Sequence, residues 1–299
     1  MLRYRLEGKG APLLLIHGWG VTYSIWQNLA PLLRIHYQLI MIELPGIGGS
    51  PEVALEQPYY QASAEAIEEL RQSLGIEAWS ILAYSSGTRV AEAYVQRYPH
   101  NVARMIFLCP VYLNEWYALW LRILETAHPS SSLANWIFSD WRLYGLILAL
   151  CFNGRHYNYT RKWRNEIELQ SMETLVRTLC ELPDKGRAPF ELPAVPTLFI
   201  WGKRDTLIHC PRRPRPNDIV LPTNHGAPIL AAPKIAEAVI PFLTEGTFVS
   251  SHTHLKPERY WRGGEVSHRE ELVQEFSFVC NPVRRRFALR KRKVLREVE

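Results

Sequence analysis

The chain has 299 residues, 47% of them hydrophobic and 21% charged, so it carries enough apolar material for a sizeable core and is not a disordered polyelectrolyte. Its five cysteines (Cys109, Cys151, Cys180, Cys210, Cys280) form an odd set without a C-x-x-C pair, which argues against a disulfide framework or a zinc site and for a reducing, cytoplasmic setting. The net charge of +6 sits mostly in residues 246–299, with 12 Lys and Arg against 7 Asp and Glu, so it says little about the ligand of the main domain.

The N-terminal MLRYRLEGKG has no apolar h-region, and the run at 13–16 is too short for a signal or a membrane span. Residues 2–8 alternate apolar and polar, as an edge strand does. Leu13 to Ile16 reads as a buried strand running into His17-Gly18-Trp19-Gly20. Ile25, Leu29, Leu32 and Leu33 have helical spacing, predicting a helix over 25–34. Tyr37 to Leu44 is a third strand, closed by Pro45-Gly46-Ile47-Gly48-Gly49. A helix is predicted over 64–74 with Ser63 as N-cap. Trp79 to Leu82 is a strand, and Arg89 to Tyr98 a helix stopped by Pro99. Further strands follow at 103–111, 196–202 and 218–221, and a last helix at 233–244. This alternation predicts an α/β fold: a mostly parallel sheet with helices on both faces.

Residues 112–190 interrupt the alternation. They give helical stretches without a clear strand and hold Trp116, Trp120, Trp136, Trp141 and Trp163, so they read as a helical cap inserted into a core formed by 1–111 and 191–245. The apolar run 143–152 is too short to cross a bilayer and reads as a buried cap helix. Residues 246–299 form a basic C-terminal extension. Its last 18 residues, 282–299, hold eight basic and two acidic side chains. A solvated or partly helical tail is the simplest reading, and weak contact with an anionic membrane or with nucleic acid is the alternative.

The stretch Ala83-Tyr84-Ser85-Ser86-Gly87 lies between a strand and a helix, where a serine hydroxyl can project clear of a sheet. The turn is tight, so the residues two before and two after the nucleophile must be small. Ala83 and Gly87 satisfy this for Ser85, whereas Tyr84 and Thr88 do not for Ser86. Taken alone, Ser85 could equally be a helix cap. A nucleophile needs a base, and the base an orienting group. Asp205 follows the strand ending at Gly202, and His225 follows the strand ending at Leu221. Loops beyond the carboxyl ends of parallel strands share one sheet edge, so Ser85, Asp205 and His225 can meet. Between the last two lie Pro211, Pro214 and Pro216, which predict an irregular loop instead of a helix. Asp218 is the alternative acid, although it stands near a strand start, at the wrong edge.

His17-Gly18-Trp19-Gly20, Glu43 to Ser50, the serine turn, Gly202-Lys203-Arg204-Asp205 and His225, in this order over residues 2–245, resemble the α/β-hydrolase superfamily, in its small cap-bearing serine hydrolase (carboxylesterase-like) branch. The resemblance implies Ser85 as nucleophile, His225 as base, Asp205 as orienting acid, the backbone N–H groups of Trp19 and Ser86 as oxyanion hole, and His17 as a brace for the loop carrying Trp19. It implies no cofactor and no metal. Ala83 stands where glycine is usual and Glu43 where aspartate is usual. Aspartate at the elbow marks the dehalogenases and epoxide hydrolases of the superfamily, so Ser85 argues against both. Tyr84, Trp116, Trp120 and Trp141 are expected to line an apolar substrate pocket. The expected activity is hydrolysis of small lipophilic carboxylic esters. The alternatives are a C–C bond hydrolase, amidase or acyltransferase on the same fold, or a non-catalytic ligand-binding member.

Overall fold

The computed structural model describes residues 1–54, 56–111, 166, 170–182, 192, 194–208 and 210–245. These belong to one compact unit, Met1–Ser250. The expectations for most of the cap, for Trp116, Trp120 and Trp141, and for the basic extension lie outside the described residues.

Among the described residues the sheet has seven strands: β1 (Tyr4–Glu7), β2 (Ala11–Ile16), β3 (Tyr37–Ile42), β4 (Trp79–Tyr84), β5 (Val102–Leu108), β6 (Thr197–Gly202) and β7 (Ile219–Leu221). Their spatial order is β1-β3-β2-β4-β5-β6-β7. Only β1 runs antiparallel, against β3; every other pairing is parallel. The central strands are continuous apolar runs because both faces are covered. The period of two sorts each run between the faces. Leu13, Leu15, Leu39, Met41, Leu82, Ile106 and Leu108 point into one apolar cluster, shared with α1 (Ala30–Leu33) and α6 (Ala232–Glu245). Leu14, Ile16, Ile40, Ile42, Ile81, Ala83 and Phe107 point into the other, beneath α2 (Tyr59–Ser73) and α3 (Gly87–Arg97). Between β5 and β6 lies α4 (Met172–Cys180), and α5 (Ala227–Leu230) follows β7. Among the described residues no helix is long and apolar enough to cross a membrane.

Two helix expectations are corrected. The segment 25–34 is a 3-10 turn, Tyr23–Trp26, followed by the separate short α1. Pro31 sits in the first turn of α1, where its missing N–H costs no helix hydrogen bond, so it favours a helix start there. Helix α2 begins at Tyr59, five residues before the predicted start, so Ser63 is buried inside it and caps nothing. Its first N–H, that of Tyr59, donates to both carboxylate oxygens of Glu181, at 2.9 and 2.7 Å. A carboxylate there also opposes the positive end of the helix dipole.

Helices α2 and α3 are joined by a buried carboxylate. Glu68 accepts from Arg71 at 2.7 and 2.9 Å, from Gln72 at 2.9 Å, from the Tyr94 hydroxyl at 2.8 Å and from Asn101 at 3.2 Å. The Arg71 hydrogen bonds are the largest cause holding its carboxyl down at about 2. His17 is displaced for the opposite reason. Its ring is buried, and desolvation lowers its pKa from 6.5 to about 4. Nε2 accepts the Leu44 N–H at 3.0 Å, so Nδ1 carries the proton and donates to the Gly18 carbonyl at 2.7 Å. A neutral ring therefore ties β2's terminal loop to the end of β3.

This has a pH consequence. Between about 4 and 6.5 the unfolded chain protonates His17 while the folded chain does not, so stability falls as the pH is lowered through that window. The contribution lost is about 3 kcal/mol. Below 4.5 Glu68 adds a second loss, extending to about 2. Urea unfolding between pH 7 and pH 4 is expected to show the first loss in the native chain and a shallower slope in His17→Gln. Equal slopes in the two proteins would contradict a neutral buried imidazole.

Candidate active site

Strands β2, β4, β5, β6 and β7 end on one edge of the sheet; His17, Ser85 and Cys109 directly follow the first three, and Asp205 and His225 lie three and four residues beyond the last two. The sharpest turn is at Ser85. Its φ is +52°, a left-handed conformation that residues with a Cβ rarely adopt. The strain is held by main-chain bonds on both sides. Ser85 N–H donates to the Leu108 carbonyl at 3.0 Å, and the Ser85 carbonyl accepts from Thr88 N at 3.0 Å and from the Thr88 hydroxyl at 2.6 Å. Gly87 is obligatory for steric reasons, because a Cβ there would lie 2.3 Å from the His17 carbonyl oxygen. A Cβ on Gly18 would lie 2.8 Å from the Ser85 Cβ. The 17–20 loop thus passes directly against the serine.

Ser85, His225 and Asp205 come together. His225 Nε2 lies 2.9 Å from Ser85 Oγ, and His225 Nδ1 lies 2.6 Å from Asp205 Oδ2. All three residues are buried. The proline-rich connection is irregular, as expected, yet the acid is fixed before the prolines begin. Asp205 Oδ1 accepts the N–H groups of Leu207 and Ile208, each at 2.9 Å. An aspartate bonding backbone two and three residues ahead makes its own turn, and the histidine receives the other oxygen. Asp218 is elsewhere. Its Oδ2 accepts from the Trp201 indole at 2.9 Å and from Arg215 N at 3.1 Å.

Tyr84, expected to line the substrate pocket, packs against the histidine. Its hydroxyl donates to the His225 carbonyl at 2.7 Å, and its ring stands 5.2 Å from the imidazole and edge-on to Trp26. An aromatic residue with a polar tip fills this place because the ring packs in the core while the oxygen reaches a buried acceptor. Tyr84→Phe leaves that carbonyl without its buried donor, a loss of about 1–3 kcal/mol. A lower thermal midpoint with a measurable drop in kcat is expected. An unchanged midpoint would mean that the contact carries no weight.

Trp19 and Ser86 line one small cavity together with Leu44, Ile47, Tyr59 and Tyr60. The Trp19 indole N–H donates to the Leu175 carbonyl of α4 at 2.9 Å, and the Tyr60 hydroxyl donates to Thr178 of the same helix at 3.1 Å. Glu166 accepts from the hydroxyls of Ser24 and Thr22, at 2.6 and 3.0 Å. Glu166 and Leu175 are therefore both bonded to the 19–24 segment, which follows the loop beside the serine. The sequence reading missed these bonds, the Tyr84 contact and Cys109. Cys109 was hidden because the strand expected over 103–111 ends at Leu108.

The comparisons agree with this architecture. Residues 11–133 match the family described as alpha/beta hydrolase fold. A thermophilic esterase from Thermogutta terrifontis superposes with a TM-score of 0.65 at 19% identity, over 82% of this chain and 93% of that one. An epoxide hydrolase from Bacillus megaterium superposes with a TM-score of 0.67 at 17% identity, over 81% and 96%. The chain has the α/β-hydrolase fold. In sequence it is similar to the pimeloyl-[acyl-carrier protein] methyl ester esterase of Photobacterium profundum, 36% identical over 35% of this chain and 39% of that protein. The chain thus spans well under half the length of that relative. The Aeromonas salmonicida protein of the same name is 24% identical over 76% of this chain and 92% of its own length. A 2-hydroxy-6-oxo-6-phenylhexa-2,4-dienoate hydrolase from Comamonas testosteroni is 26% identical over 37% and 40%.

Proposed function

We propose that the chain is a serine hydrolase that cleaves carboxylic esters through an acyl-enzyme, with a small lipophilic acyl group and a small alcohol, such as methanol, as the two halves of the substrate. The observation that carries this reading is the imidazole of His225, held between Ser85 Oγ at 2.9 Å and Asp205 Oδ2 at 2.6 Å. The relatives named as methyl ester esterases support the choice of bond.

Ser85 Oγ attacks the ester carbonyl as its proton passes to His225 Nε2. The negative charge that develops on the carbonyl oxygen is met by the backbone N–H groups of Trp19 and Ser86, each worth on the order of 10²–10³ in rate. Asp205 keeps the ring proton on Nδ1 and stabilises the imidazolium. The tetrahedral intermediate collapses, the alkoxide leaves with the proton from Nε2, and the acyl group stays on Ser85. Water then attacks, gives its proton to Nε2, and releases the acid with Ser85 Oγ–H restored. Leu44, Ile47, Tyr59 and Tyr60 give the small cavity beside Trp19 and Ser86 a largely apolar wall, which supports an apolar acyl group. Reaction in the cytoplasm fits Cys109 and Cys210, neither of which is in a disulfide among the described residues.

Initial rates on p-nitrophenyl esters of increasing chain length, and on the monomethyl ester of a seven-carbon dicarboxylate, test the assignment. Hydrolysis with methanol release from the latter is expected. The Comamonas relative gives one other reading, cleavage of a C–C bond beside a carbonyl. Turnover of a 2-hydroxy-6-oxo-dienoate without turnover of any ester would favour it.

A further inference from the structure

Cys109, like His17, is a strand-end residue that the proposed reaction does not use. It follows β5, adopts φ +45°, and donates its N–H to the Ile200 carbonyl at 2.8 Å. That backbone is unusual for a residue with a Cβ, and only two non-glycine residues share it among those described. The other is Ser85. The turn brings the thiol to the back of the histidine. One ligand atom each of Cys109, Asp205 and His225 lie within 4.8 Å of one another, and all three residues are buried.

We propose that Cys109, Asp205 and His225 form an inhibitory site for a thiophilic divalent cation, zinc above all. The inhibitory part rests on the serine hydrolase reading; the site itself does not. A thiolate, an imidazole nitrogen and a carboxylate oxygen are the three ligand types that zinc accepts, in a number that leaves one tetrahedral position for water. Calcium and magnesium prefer all-oxygen shells and are poor candidates. Around a tetrahedral zinc, ligand atoms at 2.0–2.3 Å stand about 3.4 Å apart. The trio reaches that spacing if the thiol moves inward by on the order of 1 Å and the 2.6 Å contact between Asp205 and His225 opens slightly.

Binding replaces protons. The Cys109 thiol proton leaves to solvent, and the cation takes a ring nitrogen lone pair. Either nitrogen gives the same outcome. If the metal takes Nδ1, the remaining ring proton must sit on Nε2, which then faces Ser85 as a donor and cannot accept its proton. If it takes Nε2, the lone pair that would accept that proton is already used. The cation therefore stops the relay by occupying the histidine, and removing it restores the original tautomer. Cys109 would make the hydrolase sensitive to free zinc at the histidine that the reaction uses.

The test uses the full-length protein and cobalt(II) as a spectroscopic stand-in for zinc. One equivalent of cobalt is expected to produce a thiolate-to-metal charge-transfer band, abolished by competing zinc and absent in Cys109→Ser and in Cys109→Ala. Two variants are used so that a folding defect in one does not decide the result, and circular dichroism checks both. In the ester assay, zinc is expected to inhibit the native chain reversibly with a chelator. The zinc concentration giving half inhibition should rise at least tenfold in either variant, with activity in the absence of zinc retained. A missing band in the native chain, or a band that survives in folded Cys109→Ser, would overturn the site whatever the ester assay shows. Equal zinc inhibition of the native chain and Cys109→Ser would overturn the inhibitory role.

Discussion

Ser85→Ala is expected to lower kcat for ester hydrolysis on the order of 10⁶-fold, to the residual level that substrate binding and the oxyanion donors supply alone. The variant removes one oxygen, 2.9 Å from His225 Nε2, and nothing else at the site. Alanine keeps the Cβ and the φ of +52° that serine already tolerates, so the thermal midpoint should stay within a few degrees. Substrate binding should change little, which places the loss in kcat instead of KM. Ser86→Ala is the matched control. Its backbone N–H survives, so activity within about tenfold of the native chain is expected, one oxyanion donor being worth more than that. Loss in Ser86→Ala with activity kept in Ser85→Ala would mean that the wrong serine has been chosen. Steady-state kinetics on a p-nitrophenyl ester measures both.

Asp205→Asn carries the second largest effect, about 10⁴-fold in kcat. The amide oxygen can still accept from Leu207 and Ile208, so the turn persists. The amide nitrogen then faces His225 Nδ1 as a donor. The ring answers by placing its proton on Nε2, where it cannot accept from Ser85. Geometry is preserved and the tautomer is inverted, so the defect should appear as lost turnover in a folded protein. Asp218→Asn should stay within a few-fold, since Asp218 is bonded to Trp201 and Arg215 and not to the histidine. An inactive Asp218→Asn beside an active Asp205→Asn would reverse the assignment of the acid.

Much of the fold was legible because the central strands are continuous apolar runs that end in glycine, proline or the functional residues themselves. Leu13 to Ile16 and Trp79 to Leu82 needed no tertiary information. The start of α2 was not legible. Ser63 looked like a cap only because the true partner of the first turn, Glu181, comes from 122 residues away. The split in the 25–34 segment was available in principle from Pro31, but the apolar spacing masked it. Strand-end logic located Ser85, Asp205 and His225 because chain order and edge sharing depend on topology alone. The same logic could not say where Tyr84 points. A side chain next to a strained turn has two faces to choose from, and a buried carbonyl on His225 decided between them. The security of Asp205 was hidden for a related reason: its anchors are main-chain N–H groups, which a sequence does not display.

The central claim is that Ser85 is the residue this fold activates. Reaction of the native chain with a fluorophosphonate, followed by digestion and mass spectrometry, measures it directly. One phosphonyl group per chain, located on Ser85 and absent from Ser85→Ala, is the predicted result. An adduct on Ser86, or a folded chain that takes no label, would contradict it.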